Sequence, residues 1–200
     1  SPRGSYSAAS TLAGNRLNTE LRDIGNAVTV INSQFLTDIG ATSTESLLQY
    51  TTNTEVGSIQ GNFAGLGDGA QLNETDRFRN PNQNTRVRGL AAADNARDYF
   101  LSDIPWDSYN VDRIDLQRGP NSIMFGQGSP AGLINASTQA AAFSNTGLLE
   151  FRAGSYGSTR LALNINRQLI EGELAGRVAY LRDNEKFQQK PAFDNDERIY

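Results

Sequence analysis

Apolar and polar positions alternate on two different scales along this chain, and the scale changes near residue 145. Before that point the periodic segments are short and of both kinds. Ala27-Val28-Thr29-Val30-Ile31 is a short β-type run. Asn32 and Ser33 form a helix cap ahead of Phe35, Leu36 and Ile39 at helical spacing, and Gly40 ends that helix. Ser43 or Thr44 opens a second helix carrying Leu47, Leu48 and Tyr50. Residues 85–89 (TRVRG), 97–101 and 111–117 alternate as strands do. In the last of these, Asp112, Ile114 and Leu116 fall on one side and Val111, Arg113 and Asp115 on the other. Arg118-Gly119-Pro120 is a sharp stop, 121–125 reads as one helical turn, and the Gly-rich run GQGSPAG leads into a strand at 133–136. Short strands mixed with short helices over 27–145 predict a small α+β domain. The polar, small-residue stretch 1–26 predicts an extended N-terminal segment. Residues 57–84 are rich in Gly, Asn and Gln without any period, which predicts a long loop, functional or mobile.

Residues 146–200 behave differently. Leu149 and Phe151 share one face while Glu150 and Arg152 share the other. Leu161, Leu163, Ile165 and Leu169 alternate with Ala162, Asn164, Asn166 and Gln168, although Arg167 interrupts the apolar row. After Glu171-Gly172, a hairpin-type turn, Leu174, Val178 and Tyr180 alternate with Glu173, Ala175, Arg177 and Ala179. Two architectures fit this meander. A soluble antiparallel sheet has one dry and one wet face. A membrane-spanning strand needs about 9–11 residues, apolar side chains outward and polar ones toward a lumen. Three strands cannot close a barrel, and lipid does not tolerate an open edge. In the membrane reading, then, 146–200 holds only the first antiparallel strands of a transmembrane β-barrel, which is truncated. The polar end, 183–200, predicts a loop.

Composition narrows the chemistry. There is no His and no Cys, which removes a Ser–His–Asp triad, a Cys nucleophile, an imidazole or thiolate metal site and any disulfide. Eighteen Lys and Arg against 22 Asp and Glu give a net charge of −4, which argues against a nucleic-acid partner. Hydrophobic content of 38% allows only a lean core. No apolar run approaches the roughly 18 residues of a membrane helix, and no signal peptide is visible. A chain that begins at Ser1 is expected to be processed or a piece of something longer. Lys186 and Lys190 are its only lysines; the other cations are Arg, suited to fixed hydrogen-bonded pairs, although codon bias explains the ratio equally well.

Several segments, in chain order, resemble one family. They are AVTVINSQFLTDIGA, STESLLQYTTNTEV, TRVRGL, RDYFLSDIPWDSYNVDRIDLQRGPNSIMFGQGSPAGLINAST and FRAGSYGSTR. The most specific is RGP-x-S-x-x-x-G-x-G-S-P-x-G-x-I-N at 118–135. Together they resemble the plug domain and first barrel strands of TonB-dependent outer-membrane receptors. Ala131 and Gln139 depart from the pattern, standing where the family usually has Gly and commonly has Lys. The resemblance implies a barrel of about 22 strands closed by a plug in its lumen. It further implies a bacterial outer-membrane location and active uptake of a scarce solute: siderophore-iron, cobalamin or a glycan. TonB would grip an N-terminal segment upstream of Ser1 by strand addition. Outer-membrane lipid and the solute are the other implied partners, with no cofactor and no enzymatic activity.

The resemblance also assigns candidate residues. Arg86, Arg88 and Arg118 lie in motifs that face the barrel wall and would lock the plug by charge-assisted bonds; the alternative is local pairing within the plug, to Asp98 or Asp115. Three loops, 57–84, 90–96 and 102–109, would point outward, making Asn62, Phe63, Asp94, Asn95 and Trp106 ligand candidates. Trp106, the only Trp, suits stacking on a chelate or sugar, or packing in the plug core. Gly89, Gly119, Pro120, Gly126, Gly128 and Gly132 are read as turn formers. No residues suggest a metal or catalytic site; a carboxylate enzyme built on Asp94, Asp98, Asp103 or Asp107 would need a pair that no spacing singles out. The alternative function is a soluble carbohydrate-binding or adhesive β-rich protein.

Overall fold

The computed structural model describes residues 6, 10–11, 19–25, 27–56, 85–90, 92–119 and 129–200. Contacts divide the chain into two compact units, Ser1–Thr138 and Gln139–Tyr200. No helix among the described residues is long and apolar enough to cross a membrane, a criterion silent on β-barrels.

The first unit holds short pairs Ser10–Thr11 (β1) with Thr19–Glu20 (β2), inside the stretch expected to be extended. Ala27–Asn32 (β3) leads into helix Ser33–Ile39 (α1), capped by the Asn32 side chain, which accepts from the Phe35 N–H at 3.0 Å. Gly40 ends α1 in the left-handed region. Helix Thr44–Leu48 (α2) opens on a capping box between Ser43 and Ser46. Thr54–Val56 (β4) pairs with Thr85–Val87 (β5). The main sheet adds Asp94–Arg97 (β6), Phe100–Leu101 (β7), Val111–Arg118 (β8) and Gly132–Thr138 (β9), in the order β3-β8-β9-β6-β7, with only β9 and β6 parallel.

One face of this sheet carries Ile31, Ile114, Leu116, Ile134 and Ala136, packed into a single core with Leu36, Leu47, Leu48 and Trp106. Val111 belongs to the same core, not to the face opposite Ile114 as simple alternation predicts. The register shifts between Val111 and Arg113, and such a bulge re-phases the alternation.

A second difference lies at 97–101, expected to be one strand. It is a hairpin tip: Arg97 pairs with Phe100 across a two-residue turn, Asp98-Tyr99, with φ of 50° and 66°. Two successive positive φ values match the twist of flanking strands, which a continuous strand could not.

The second unit is a four-stranded antiparallel meander of Thr146–Ala153 (β10), Thr159–Ile170 (β11), Leu174–Lys186 (β12) and Phe193–Ile199 (β13). Residues 183–200, expected to be a loop, instead extend β12 and supply β13. On β13 Phe193 and Ile199 share a face with Asn195 and Glu197, and the other face holds Asp194, Asp196 and Arg198, so the period-two contrast is broken by polar residues on both faces.

Candidate functional site

The second face of the main sheet buries polar groups beside Val30, Leu133 and Ala96. Asp115 on β8 and Asn135 on β9 are register partners, 1% and 0% exposed. Tyr99 reaches them from the hairpin turn: its hydroxyl donates to Asp115 Oδ2 at 2.8 Å and its backbone N–H to Asn135 Oδ1 at 2.7 Å. Arg113 Nε stands 3.6 Å from the same carboxylate. Asp98, the other turn residue, accepts from the Thr138 N–H and hydroxyl, both at 2.8 Å. These bonds hold a non-Gly pair in the left-handed region, where each residue costs on the order of 1–2 kcal/mol. The tip so fixed presents Phe100, Leu101 and Ile104, which are 78%, 57% and 70% exposed. Sequence reading did not single out Tyr99, Asn135 or this apolar tip. The available signal was an Asp-Tyr pair where a tight turn usually places Gly.

The candidate lock arginines separate. Arg118 is buried, donating through Nε to the Thr52 carbonyl at 3.1 Å and through Nη1 to the Thr29 hydroxyl at 2.8 Å. It ties β8 to β3 and to the turn before β4, and burial lowers its pKa from the ordinary Arg value. Arg86 pairs with Glu55 across β4–β5, and that hydrogen bond raises its pKa. Arg88 is exposed, with φ of 58°, its N–H donating to the Asn53 carbonyl at 2.8 Å.

Among the ligand candidates, Trp106 lies within the core at 4% exposure. Asp94 Oδ2 accepts from the Ser129 N–H at 2.7 Å, while the Ser129 hydroxyl donates to the Ala92 carbonyl at 2.6 Å, so both fasten the 129–131 turn to β6. The Asn95 amide donates to the Ala93 carbonyl at 3.5 Å. Asp107 caps the turn at 108–110 by accepting from the Tyr109 N–H. Asn62, Phe63, Pro120, Gly126 and Gly128 lie outside the described residues. Gly89, Gly119 and Gly132 all have positive φ. At Gly132 the reason is acute: an added Cβ would overlap the Gln117 carbonyl oxygen across the ladder and stand 3.1 Å from Arg118 Cα. Ala131 is fully buried without positive φ, so this turn places its left-handed demand one residue later.

In the second unit, burial is inverted relative to a soluble sheet. Arg160, Asn164 and Asn166 on β11 are buried, at 6%, 9% and 0% exposure. Their neighbours on the opposite row face out: Leu149 and Phe151 on β10 and Val178 on β12 are 68%, 66% and 58% exposed. The inward row carries its own pairs, with Arg160 between Asp183 at 2.7 Å and Glu150 at 3.6 Å. It also grips the segment 139–145. Asn166 accepts from the Ala142 N–H at 2.9 Å and donates to the Ala142 carbonyl at 2.8 Å. Gln139 Oε1 accepts from Arg177 Nη1 at 2.7 Å and from the Asn164 amide. A lysine at 139 could not accept these bonds, so Gln139 is matched to the amides and guanidinium it meets. Leu181, Ala162 and Ala179 share the buried row with these polar groups, while the large apolar side chains Leu149, Phe151 and Val178 stand on the exposed row, the arrangement suited to an apolar surround.

A family model described as the TonB-dependent receptor plug domain matches residues 20–133. The metal-pseudopaline receptor CntO of Pseudomonas aeruginosa is 27% identical over 178 residues, covering 88% of this chain and 23% of that protein. The ferrichrome outer membrane transporter/phage receptor of Escherichia coli is 23% identical over 201 residues, covering 94% and 24%. The chain thus spans about a quarter of the length of these relatives. Among solved structures, the pyoverdine outer membrane receptor FpvA of Pseudomonas aeruginosa superposes with a TM-score of 0.74 at 21% identity, covering 92% of this chain and 26% of that one. The ferric-catecholate import receptor Fiu of Escherichia coli gives 0.74 at 20%, covering 97% and 25%. A plug model over more than half the chain, followed by strands that turn their apolar rows outward, leaves one assignment: the chain belongs to the TonB-dependent receptor family of the bacterial outer membrane, and it carries that family's plug domain.

Proposed function

We propose that this chain forms the plug and opening barrel strands of a receptor that actively imports a metal chelate of the siderophore type, driven through TonB. The inverted burial of β10–β13 carries the proposal, because an outward row of Leu, Phe and Val beside a buried row of Arg and Asn is stable only with lipid outside and a polar lumen within. Siderophore-type chelates come ahead of cobalamin or a glycan because the relatives are named for metal-pseudopaline, ferrichrome, ferrioxamine and ferripyoverdine.

Each part of the plug then has a task. The apolar tip of Phe100, Leu101 and Ile104 is a ligand-facing surface suited to the hydrocarbon and ring portions of a chelate, and it takes that role ahead of the buried Trp106. Asn62 and Phe63, with Asp94 and Asn95 on β6, are the further proposed ligand contacts. Arg88, exposed beside the paired Arg86, is the arginine best placed to bond a barrel carboxylate, whereas Arg118 braces the plug from inside. TonB would engage a segment N-terminal to the plug by strand addition and draw on the plug as the inner-membrane gradient is spent.

Deletion of the gene, followed by uptake of radiolabelled iron, nickel and zinc presented with a panel of chelators, tests this directly. Loss of uptake for one chelate class, restored by the intact gene and abolished by a protonophore, is the expected result. Uptake that survives collapse of the gradient would mark a passive pore instead, and a growth defect confined to oligosaccharides or cobalamin would move the substrate class.

A further inference from the structure

Two segments of the first unit meet along a seam that buries polar groups. The segment 41–48, ending in α2, and the segment 106–111, running into β8, are joined by a backbone bond from the Ser108 N–H to the Thr42 carbonyl at 3.0 Å. Both contribute to the same apolar core, Ala41, Leu47 and Leu48 from the first and Trp106 and Val111 from the second. Three polar side chains belong to these segments and are also buried: Thr44, Trp106 and Asn110 are 5%, 4% and 1% exposed. The Thr44 hydroxyl, the Trp106 indole N–H and both ends of the Asn110 amide have no hydrogen-bond partner among the described residues.

Asn110 differs in this from the other fully buried amides. Asn135 accepts from the Tyr99 N–H and donates to the Ser137 hydroxyl, and Asn166 accepts from and donates to Ala142. Asn110 is the one side chain among the described residues with two buried polar atoms and a partner for neither. Burying a donor or acceptor unpaired costs its full desolvation, which an apolar residue at 110 would avoid. The chemistry of the groups says what satisfies them. The indole N–H only donates, whereas the hydroxyl and the amide both donate and accept. An anion would bring a charge that these neutral groups do not balance. Water carries no net charge, donates and accepts, and when buried makes about three such bonds.

We propose that the seam is a binding site for ordered water, held by the Asn110 amide together with the Thr44 hydroxyl and the Trp106 indole. The water acts beside the Ser108–Thr42 bond to brace α2 against the segment that follows the exposed Ile104. X-ray radiolysis splits water wherever it lies, so a side chain next to a bound molecule is oxidised even where radicals made in bulk do not reach. The test exposes the full-length receptor in detergent either to a synchrotron pulse or to radicals from laser photolysis of peroxide, and reads oxidation at Trp106 by peptide mass spectrometry. Tyr50, 61% exposed, is the reference for bulk access. Wild type is expected to oxidise at Trp106 under the pulse and not under photolysis, with Tyr50 oxidised by both. N110L fills the site with an apolar side chain and loses the Trp106 product; T44V keeps the shape, removes the hydroxyl and lowers that product. A Trp106 that the pulse leaves unmodified in wild type overturns the site. Equal oxidation of Trp106 by both sources also overturns it, since bulk solvent then reaches the indole. An undiminished Trp106 product in N110L and T44V, with Tyr50 labelled as in wild type, overturns Asn110 and Thr44 as the groups that hold the water. If N110L does not assemble, T44V decides: a lowered product supports the site and an unchanged one overturns it.

Discussion

Tyr99→Phe is the substitution that most directly tests how the plug holds its apolar tip. It keeps the ring, the left-handed backbone and the N–H bond to Asn135, and removes one hydroxyl. That hydroxyl donates to a carboxylate that is 1% exposed, at 2.8 Å. Hydrogen bonds to charged groups contribute about 1.5–3 kcal/mol. The Asn135 amide at 3.5 Å and Arg113 at 3.6 Å also stand beside this carboxylate, so the loss is taken at the lower part of that range. A loss of about 2 kcal/mol multiplies the open population of the hairpin by about 30, since each 1.36 kcal/mol is tenfold. Hydrogen exchange by mass spectrometry on the full-length receptor reads this in peptides spanning 94–102. The amides of Asp98 and Ser102, bonded to the Ala136 and Asn95 carbonyls, should exchange about 30-fold faster in the variant. Peptides from β11 and β12 should not change. Unaltered exchange at 94–102 would refute the claim that the buried carboxylate anchors the turn.

Gly132→Ala should cost about 3–5 kcal/mol, through an unfavourable backbone region and loss of ladder bonds near the Arg118–Gly132 pair, and appear as protease-sensitive plug in assembled receptor; wild-type resistance would show that the ladder yields cheaply. Val178→Arg, on the outward row, should cost about 2–4 kcal/mol if that row meets lipid and lower the heat-modifiable fraction; an unaffected fraction argues for a water-facing row. Tyr6 donates to Asp38 Oδ2 at 2.7 Å, and that hydrogen bond raises its pKa above 10.0. A raised pKa favours the protonated phenol in the folded state, so the contact's contribution is complete below the unfolded value and vanishes as pH rises through the folded one. A difference titration of wild type against Tyr6→Phe should therefore show phenolate forming above pH 10.0, and formation at or below that value would remove the contact from solution.

Features that were legible in the sequence are those whose cause is local. Asn32, Gly40 and the Ser43–Ser46 box delimit α1 and α2 because each satisfies backbone groups within four residues of itself. The alternation in β10–β12 was legible for the same reason, though alternation alone does not say which row faces out; burial of Asn166 and exposure of Phe151 do. The Asp98-Tyr99 turn was not legible, because its anchors on Asp115 and Asn135 lie 16 and 36 positions away. The same holds for Arg118, whose acceptors on Thr29 and Thr52 are threonines distant in sequence, where a carboxylate was expected. β13 escaped detection because polar residues on both its faces erase the contrast on which strand reading depends.

The grip of Asn164, Asn166 and Arg177 on residues 139–145 bears on how force is routed through the chain. Tension applied at the amino end travels along a single backbone and, past Thr138, meets a stretch stitched laterally to the wall by side-chain amides. Several side chains share that hold, Asn166 on Ala142 and Arg177 on Ala140 among them. A pull of that kind would have to break these bonds before it reached the first strand of the wall.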